Sequence, residues 1–284
     1  CNSVSLERID WMIRKLLIFG MASLAISALF ASAETVPNGR PVDSTKWFHQ
    51  TILPNGTSWF SAEQQHYTNR IENTFISDGV LTIKAKKEMF KDQGVIKKYT
   101  SARLNSKFAF TYGRVEVRAK MPHGHGTWPA IWMLPKDIQE KGAYFEQKGF
   151  GTKSWPDCGE IDIIEHWGTN QNYAQSATHT RSSFGNTVNH GGQPIPTISS
   201  EFHLYSLDWS AAKLVFAVDG DNHYTYAPAV KNKRTWPFDR DYYLLLNFAI
   251  EKDIDSAFEQ GHLSIDYVRI YDQENNLIWS DEFN

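Results

Sequence analysis

The sequence predicts an all-β protein, a sandwich of two antiparallel β-sheets. Three observations carry this. Short segments with strict apolar/polar alternation recur along the chain, with turn-forming residues between them. Residues 242–250, YYLLLNFAI, are almost entirely apolar and read as a central strand, buried on both faces. Beyond residue 34 no amphipathic helix longer than about two turns stands out.

The elements follow in order. Residues 34 to about 75 are rich in Pro and Gly (Pro37, Gly39, Pro41, Pro54, Gly56) and are expected to be mostly loop. LTIKAKK (81–87) and GRVEVRAK (113–120) alternate and read as half-buried strands. GEIDIIE (159–165) is a β-branched run interrupted by acids, and SATHT (176–180) alternates again. FHLYSLDW (202–209) and KLVFAV (213–218) are more continuously apolar, and Asp219-Gly220 is a hairpin turn leading into HYTY. LSIDYVRIY (263–271) closes the alternating set, and LIWSDEFN (277–284) is the tail. No internal repeat or low-complexity linker interrupts residues 34–284, so they are expected to form one domain.

The first 33 residues read as an export signal. Arg14 and Lys15 precede the apolar run LLIFGMASLAISALF, and Ala31-Ser32-Ala33 is an A-x-A cleavage site. Met12 resembles a true start, which would make residues 1–11 an upstream extension. The expectation is a secreted chain, extracellular or periplasmic, beginning at Glu34, with no membrane anchor. Two cysteines, Cys1 and Cys158, exclude a disulfide scaffold. A net charge of −3 leaves no electrostatic footprint for nucleic acid. Ten Trp are more than a core requires, and aromatic faces suit sugar rings, which present apolar C–H faces and polar edges.

The chemistry concentrates in GEIDIIEHWG (159–168). On a strand, Glu160 and Asp162 share a face. Glu165 has the wrong parity, and a β-bulge at Ile163–Ile164 would restore it. Like charges crowded on one face raise one another's pKa, an arrangement usually kept for chemistry. Glycoside hydrolysis needs two such carboxyl groups flanking the scissile bond. With the bulge, Glu160 and Glu165 stand roughly 13 Å apart at Cα. Two glutamate side chains leaning together across a concave sheet can close that to the roughly 5–5.5 Å gap of a retaining enzyme. The shorter Asp162 is better placed to bias which glutamate is protonated.

The chain resembles glycoside hydrolase family 16 in its laminarinase (endo-β-1,3-glucanase) branch. The resemblance rests on AEQQHYTNRIEN (62–73), YTSARLNSKFAFTYGRVEVRAKMP (99–122), GTWPAIWMLP (126–135), WPDCGEIDIIEHWG (155–168), ATHT (177–180) and IDYVRIY (265–271). It implies a jelly-roll sandwich with a concave cleft, a retaining mechanism and no required cofactor. It also implies Glu160 as nucleophile, Glu165 as acid/base and Asp162 as assistant. By the same resemblance Glu63, Arg103, Trp128, Trp132, Trp155, His179 and Asn247 line the cleft, and Asp266 is an option for a structural calcium. The partner is a polysaccharide, β-1,3-glucan or mixed-linkage β-1,3-1,4-glucan, met by a monomer. His166 should face the opposite layer and be structural, and His123 and His125 are too weak a signal for a metal. The alternatives are an agarase- or carrageenase-type galactan hydrolase, and a non-catalytic glucan-binding relative, which characteristically lacks the catalytic glutamates. Transglycosylation shares the same covalent intermediate.

Two departures from the family stand out. Residues 247–252 read NFAIEK where many laminarinases read N-x-A-x-G-G. The tail LIWSDEFN resembles the W-x-D-E-F motif with which the family usually opens, so the chain reads as a circular permutant whose first strand has moved to the C-terminus.

Overall fold

Along residues 113–120 the burial alternates residue by residue, with Val115, Val117 and Ala119 fully buried and their neighbours half-exposed. That is the period-2 pattern of a strand with one face on a core. The computed structural model describes residues 39–284, which belong to one compact unit. The expected export signal (residues 1–33) and Cys1 lie outside the described residues.

Among the described residues seventeen strands are formed: β1 (Trp47–His49), β2 (Gln65–Tyr67), β3 (Thr74–Ser77), β4 (Val80–Asp92), β5 (Val95–Ser101), β6 (Arg103–Phe110), β7 (Gly113–Lys120), β8 (Thr127–Pro135), β9 (Glu160–Glu165), β10 (Tyr173–His179), β11 (His190–Pro194), β12 (His203–Trp209), β13 (Leu214–Val218), β14 (Asp221–Tyr226), β15 (Tyr242–Ile250), β16 (Gln260–Tyr271) and β17 (Leu277–Asp281). The one α-helix among the described residues is a single turn, α1 (Tyr144–Gln147). None of them forms a helix long and apolar enough to cross a membrane.

The strands make two sheets. One runs β1-β6-β15-β8-β9-β10-β11. The other runs β14-β13-β12-β7-β16-β4-β5-β2, with β17 added to β16 and β3 to β4. All strand pairings are antiparallel except the short pair of β2 with β5 at one edge of the second sheet, which is parallel. The segment expected to be mostly loop also contributes β1, β2 and the start of β3, because Trp47 and Tyr67 bury their rings there. The core fills the space between the sheets. All nine residues of β15 are buried, as its apolar run requires. Leu244, Leu246, Phe248 and Ile250 enter the main core, while Tyr243 and Leu245 pack on the other face with Leu134, Phe145 and Cys158.

The tail is woven in. β17 pairs with β16. Trp279 meets Trp47 edge-on at 5.5 Å, and Phe283 is buried and stacked on the same ring at 6.5 Å. Trp47 Nε1 donates to Asp281 Oδ2 at 2.8 Å, so the C-terminal strand lies beside β1.

Candidate active site

Position of the acids is decided by β9. It is preceded by Gly159, whose φ is +81° and where a Cβ would fall 2.5 Å from both Pro237 Cγ and Tyr242 Oη. Only glycine fits that left-handed, crowded position. Tyr242 donates from its hydroxyl to Cys158 O at 2.9 Å, fixing the approach to the strand. Along β9 the register slips by one: Ile164 pairs with Ile131, but Asp162 pairs with Trp132. The same slip appears against β10, where Glu165 pairs with Gln175 and Asp162 with Ala177. The bulge therefore lies between Asp162 and Ile164, as the parity argument requires. Ile161, Ile163 and Ile164 all enter the core. Glu160, Asp162 and Glu165 all face the cleft, whose wall they form together. Ser176 on β10 donates to the Ile163 carbonyl at 2.6 Å, satisfying a group that the bulge removes from the ladder.

The cleft has two lobes, about 440 Å³ and about 990 Å³, that meet at the acids and share Glu63, Trp128 and Trp155. In the smaller lobe, β8 contributes Trp128, Ala130 and Trp132, and β15 contributes Asn247 and Ala249. These are the alternate positions whose neighbours Ile131, Met133, Leu246 and Phe248 face the core. Trp128 Nε1 donates to Glu165 Oε1 at 3.0 Å, and its ring stacks on Trp167 at 5.9 Å. Trp132 Nε1 donates to Asn247 Oδ1 at 2.6 Å, and Asn247 Nδ2 donates to Tyr67 Oη at 3.0 Å. Tyr67 in turn donates to Glu63 Oε2 at 2.8 Å, and Gln65 Nε2 donates to the same oxygen at 2.6 Å. Trp155 is 41 % exposed at the cleft mouth, a ring open to a ligand.

Arg103 reaches the wall but is 2 % exposed, and its guanidinium is committed to Glu140 Oε1 at 2.6 Å. It lies 5.3 Å from the Trp59 ring and 4.8 Å from that of Trp132. A buried, paired arginine between two aromatic faces stiffens the wall. Glu140 has no strand or motif signature in the sequence. Nor do Phe60 and Ser61 on the opposite rim, which lie in the Pro/Gly-rich segment.

Burial is the main cause of the perturbed acidities. Asp162 is pushed up to about 8 by burial alone. Glu165 is pushed up to about 8 by burial and then by the Asp162 charge, against the Trp128 hydrogen bond. Glu160 is raised well above the carboxylate range by burial and by Asp162, against a lowering by His179. His179 on β10 is paired in register with Glu160, its Nε2 3.6 Å from Glu160 Oε1 and 3.3 Å from Asp162 Oδ2. Three close carboxyl groups in a partly dry cleft cannot all ionise, so protons are held there near neutrality.

The remaining positions fall outside this cluster. His166 is fully buried and its Nε2 bonds the Gln171 carbonyl at 2.8 Å. His125 pairs with Asp253 at 3.1 Å on the surface. Asp266 is engaged by Arg118 at 2.6 Å. Glu251 and Lys252 line the larger lobe.

The sequence profile of "Glycosyl hydrolases family 16" matches residues 61–269. The chain is 35 % identical to the "Beta-glucanase" of Rhodothermus marinus, over 81 % of this chain and 80 % of that protein. It is similar to a LamA variant from Zobellia galactanivorans solved with laminaritriose and laminaritetraose, with 45 % identity, a TM-score of 0.74, and 82 % and 94 % of the two chains covered. It is also similar to SCLam, a non-specific endo-β-1,3(4)-glucanase, with 30 % identity, a TM-score of 0.73, and 87 % and 88 % covered.

Proposed function

The chain belongs to family 16 of the glycosyl hydrolases, and on that premise we propose a retaining double displacement in which Glu160 is the nucleophile and Glu165 the general acid/base. The protein is a glycoside hydrolase of the endo-β-1,3-glucanase type, with β-1,3-glucan as its polysaccharide substrate. The observation that carries the residue assignment is the bulged β9, with Glu160, Asp162 and Glu165 in one aromatic-walled cleft.

In the first step Glu160 attacks the anomeric carbon while Glu165 passes its proton to the leaving glycosidic oxygen. The pKa of about 8 supports Glu165 as the acid, since it keeps that proton at neutral pH. In the second step the Glu165 carboxylate takes a proton from water, which attacks the glycosyl-enzyme and releases Glu160. Asp162 and Glu160 titrate as a coupled pair, and Glu160 attacks from the microstate in which the shared proton sits on Asp162. Glu63, Trp128, Trp132, Trp155 and Asn247 hold the sugar rings, with Arg103 behind them. The proposed reaction routes no step through a metal or cofactor.

Mixed-linkage β-1,3-1,4-glucan is included as a second substrate. We assign the chain to the exported fraction after cleavage near Ala33, on the charge and hydropathy pattern of residues 12–33. The deciding experiment is a panel of laminarin, lichenan, agarose and carrageenan with a reducing-sugar readout. Laminarin should be cleaved fastest, lichenan more slowly and the galactans not at all. Turnover confined to agarose or carrageenan would overturn the glucan reading.

A further inference from the structure

His179 stands where three contacts meet. Its Nε2 lies against the Asp162 and Glu160 carboxylates at 3.3 and 3.6 Å. Its ring lies 5.9 Å from that of Trp155. Its Nδ1 accepts a hydrogen bond from the backbone N–H of Gly185 at 3.2 Å. Glu160, Asp162 and His179 each bring one donor atom to within 4.8 Å of the others. By spacing alone this is a set that a divalent cation could take.

The Gly185 contact decides otherwise. A neutral imidazole has one N–H and one lone pair. A backbone N–H only donates, so the lone pair must be on Nδ1 and the proton on Nε2, against the carboxylates. A histidine that binds metal through Nε2 has the reverse arrangement, with an Nδ1–H given to an acceptor.

We propose that the β10–β11 loop, residues 180–189, is a positioning element whose Gly185 amide locks His179 in the Nε2–H tautomer, with that N–H on the side of the Glu160–Asp162 pair, and thereby makes the cluster reject divalent metal. The loop is tied so as to hold that amide. Thr187 Oγ1 donates to Thr178 O at 3.0 Å, and the Val188 amide donates to Ser183 Oγ at 2.9 Å. Gly185 itself has φ +66°, the left-handed region that glycine enters without strain. Phe184, just before it, stands edge-on to Trp155 at 5.4 Å and 85°. The wall of the larger lobe and the donor to the acids are therefore one unit. A donor facing these carboxylates favours their ionised form, which a nucleophile needs. The benefit to Glu160 rests on its proposed role, while the tautomer does not.

The test is a long-range ¹H–¹⁵N correlation spectrum of the protein labelled at histidine, with His179 assigned by its loss in His179→Gln. The expected pattern is an Nε2–H tautomer, unchanged by equimolar zinc. Replacing residues 183–188 with an Asn-Gly turn removes the Gly185 amide, and should both alter the tautomer and introduce zinc binding by calorimetry. In turnover, His179→Leu should lose roughly 10–100-fold, the worth of one hydrogen bond to a charged group. His179→Gln, whose amide N–H reaches the same place, should recover most of that loss. An Nδ1–H tautomer in the parent, zinc binding in the parent that His179→Leu abolishes, or a folded loop variant with an unchanged tautomer would each overturn the proposal. If the loop variant does not fold, the parent spectrum and its zinc titration still decide. An Nε2–H tautomer in a protein that does not cleave glucan would sink the glucanase reading and leave this one standing.

Discussion

At the scale of single residues, the acids make the sharpest predictions. Glu160→Gln should reduce turnover to background while glucan binding, measured by affinity electrophoresis, persists. Azide added to Glu160→Ala should restore cleavage with the inverted anomer, since a small anion then replaces the carboxylate. Glu165→Gln should slow native glucan by about 10²–10⁴-fold. It should spare the glycosylation step of an activated aryl glycoside, whose leaving group needs no proton. Because Glu165 must be protonated to act and is pushed up to about 8, the alkaline limb of kcat/KM should fall near that pH. A limb below pH 6 would count against this. The three acids were legible in the sequence because their residue types and spacing are the chemistry. Glu140 and Gly185 were not, because each acts only through a partner distant along the chain or across a loop.

At the scale of elements, the bulge in β9 is the decisive device. Its freed carbonyl, Ile163 O, is satisfied by Ser176, whose one proton is spent there, so His223 must donate to Ser176 Oγ across 2.7 Å. Ser176→Ala should therefore leave a buried carbonyl unpaired, at about 1–3 kcal/mol. It should also lower kcat more than it raises KM, because Glu165 loses its fixed position. Full activity together with unchanged chemical denaturation would refute that linkage. Deleting Ile163 outright should remove the bulge yet leave Glu165 on the cleft face, four residues from Glu160 by plain alternation, so laminarin turnover should fall but stay measurable. The tail is the second such element. Phe283 is buried and Trp279 packs on Trp47, and burying one large aromatic is worth about 1.5–3 kcal/mol. Removing residues 277–284 should lower Tm or abolish soluble expression. The circular permutation stays a proposal supported by the sequence of the tail, and closeness of β17 to β1 is the geometry it requires. Moving LIWSDEFN ahead of residue 39 and deleting it from the end should give a folded, active chain if the proposal holds.

At the scale of the whole molecule, the site costs stability. The folded-state acidities of Asp162 and Glu165, both about 8, stand above the values of 3.8 and 4.5 expected unfolded. The native state thus binds more protons than the unfolded chain between those limits. By linkage, stability falls as pH rises from about 4 to about 8. It is unaffected by these groups below the lower limit. Asp162→Asn and Glu165→Gln should each raise Tm at pH 8, by about 2–4 °C for every kcal/mol regained, with little change at pH 4. Equal shifts at both pH values would assign the gain to packing instead.

The sequence by itself determined the β-sandwich, the long strands and the identity of the acids. Alternation and apolar runs are local properties, and β7 and β15 match their sequence segments residue for residue. Only the tertiary structure decided the rest. The parallel β2–β5 pair joins strands of three and seven residues far apart in the chain, with no local pattern to announce it. The engagement of Arg103 by Glu140 and of Asp266 by Arg118 depends on side chains from different strands and loops meeting. The tautomer of His179 depends on a backbone amide six residues along a loop. Local pattern fixes which way a side chain points, but what it meets there is fixed by the closure of the two sheets.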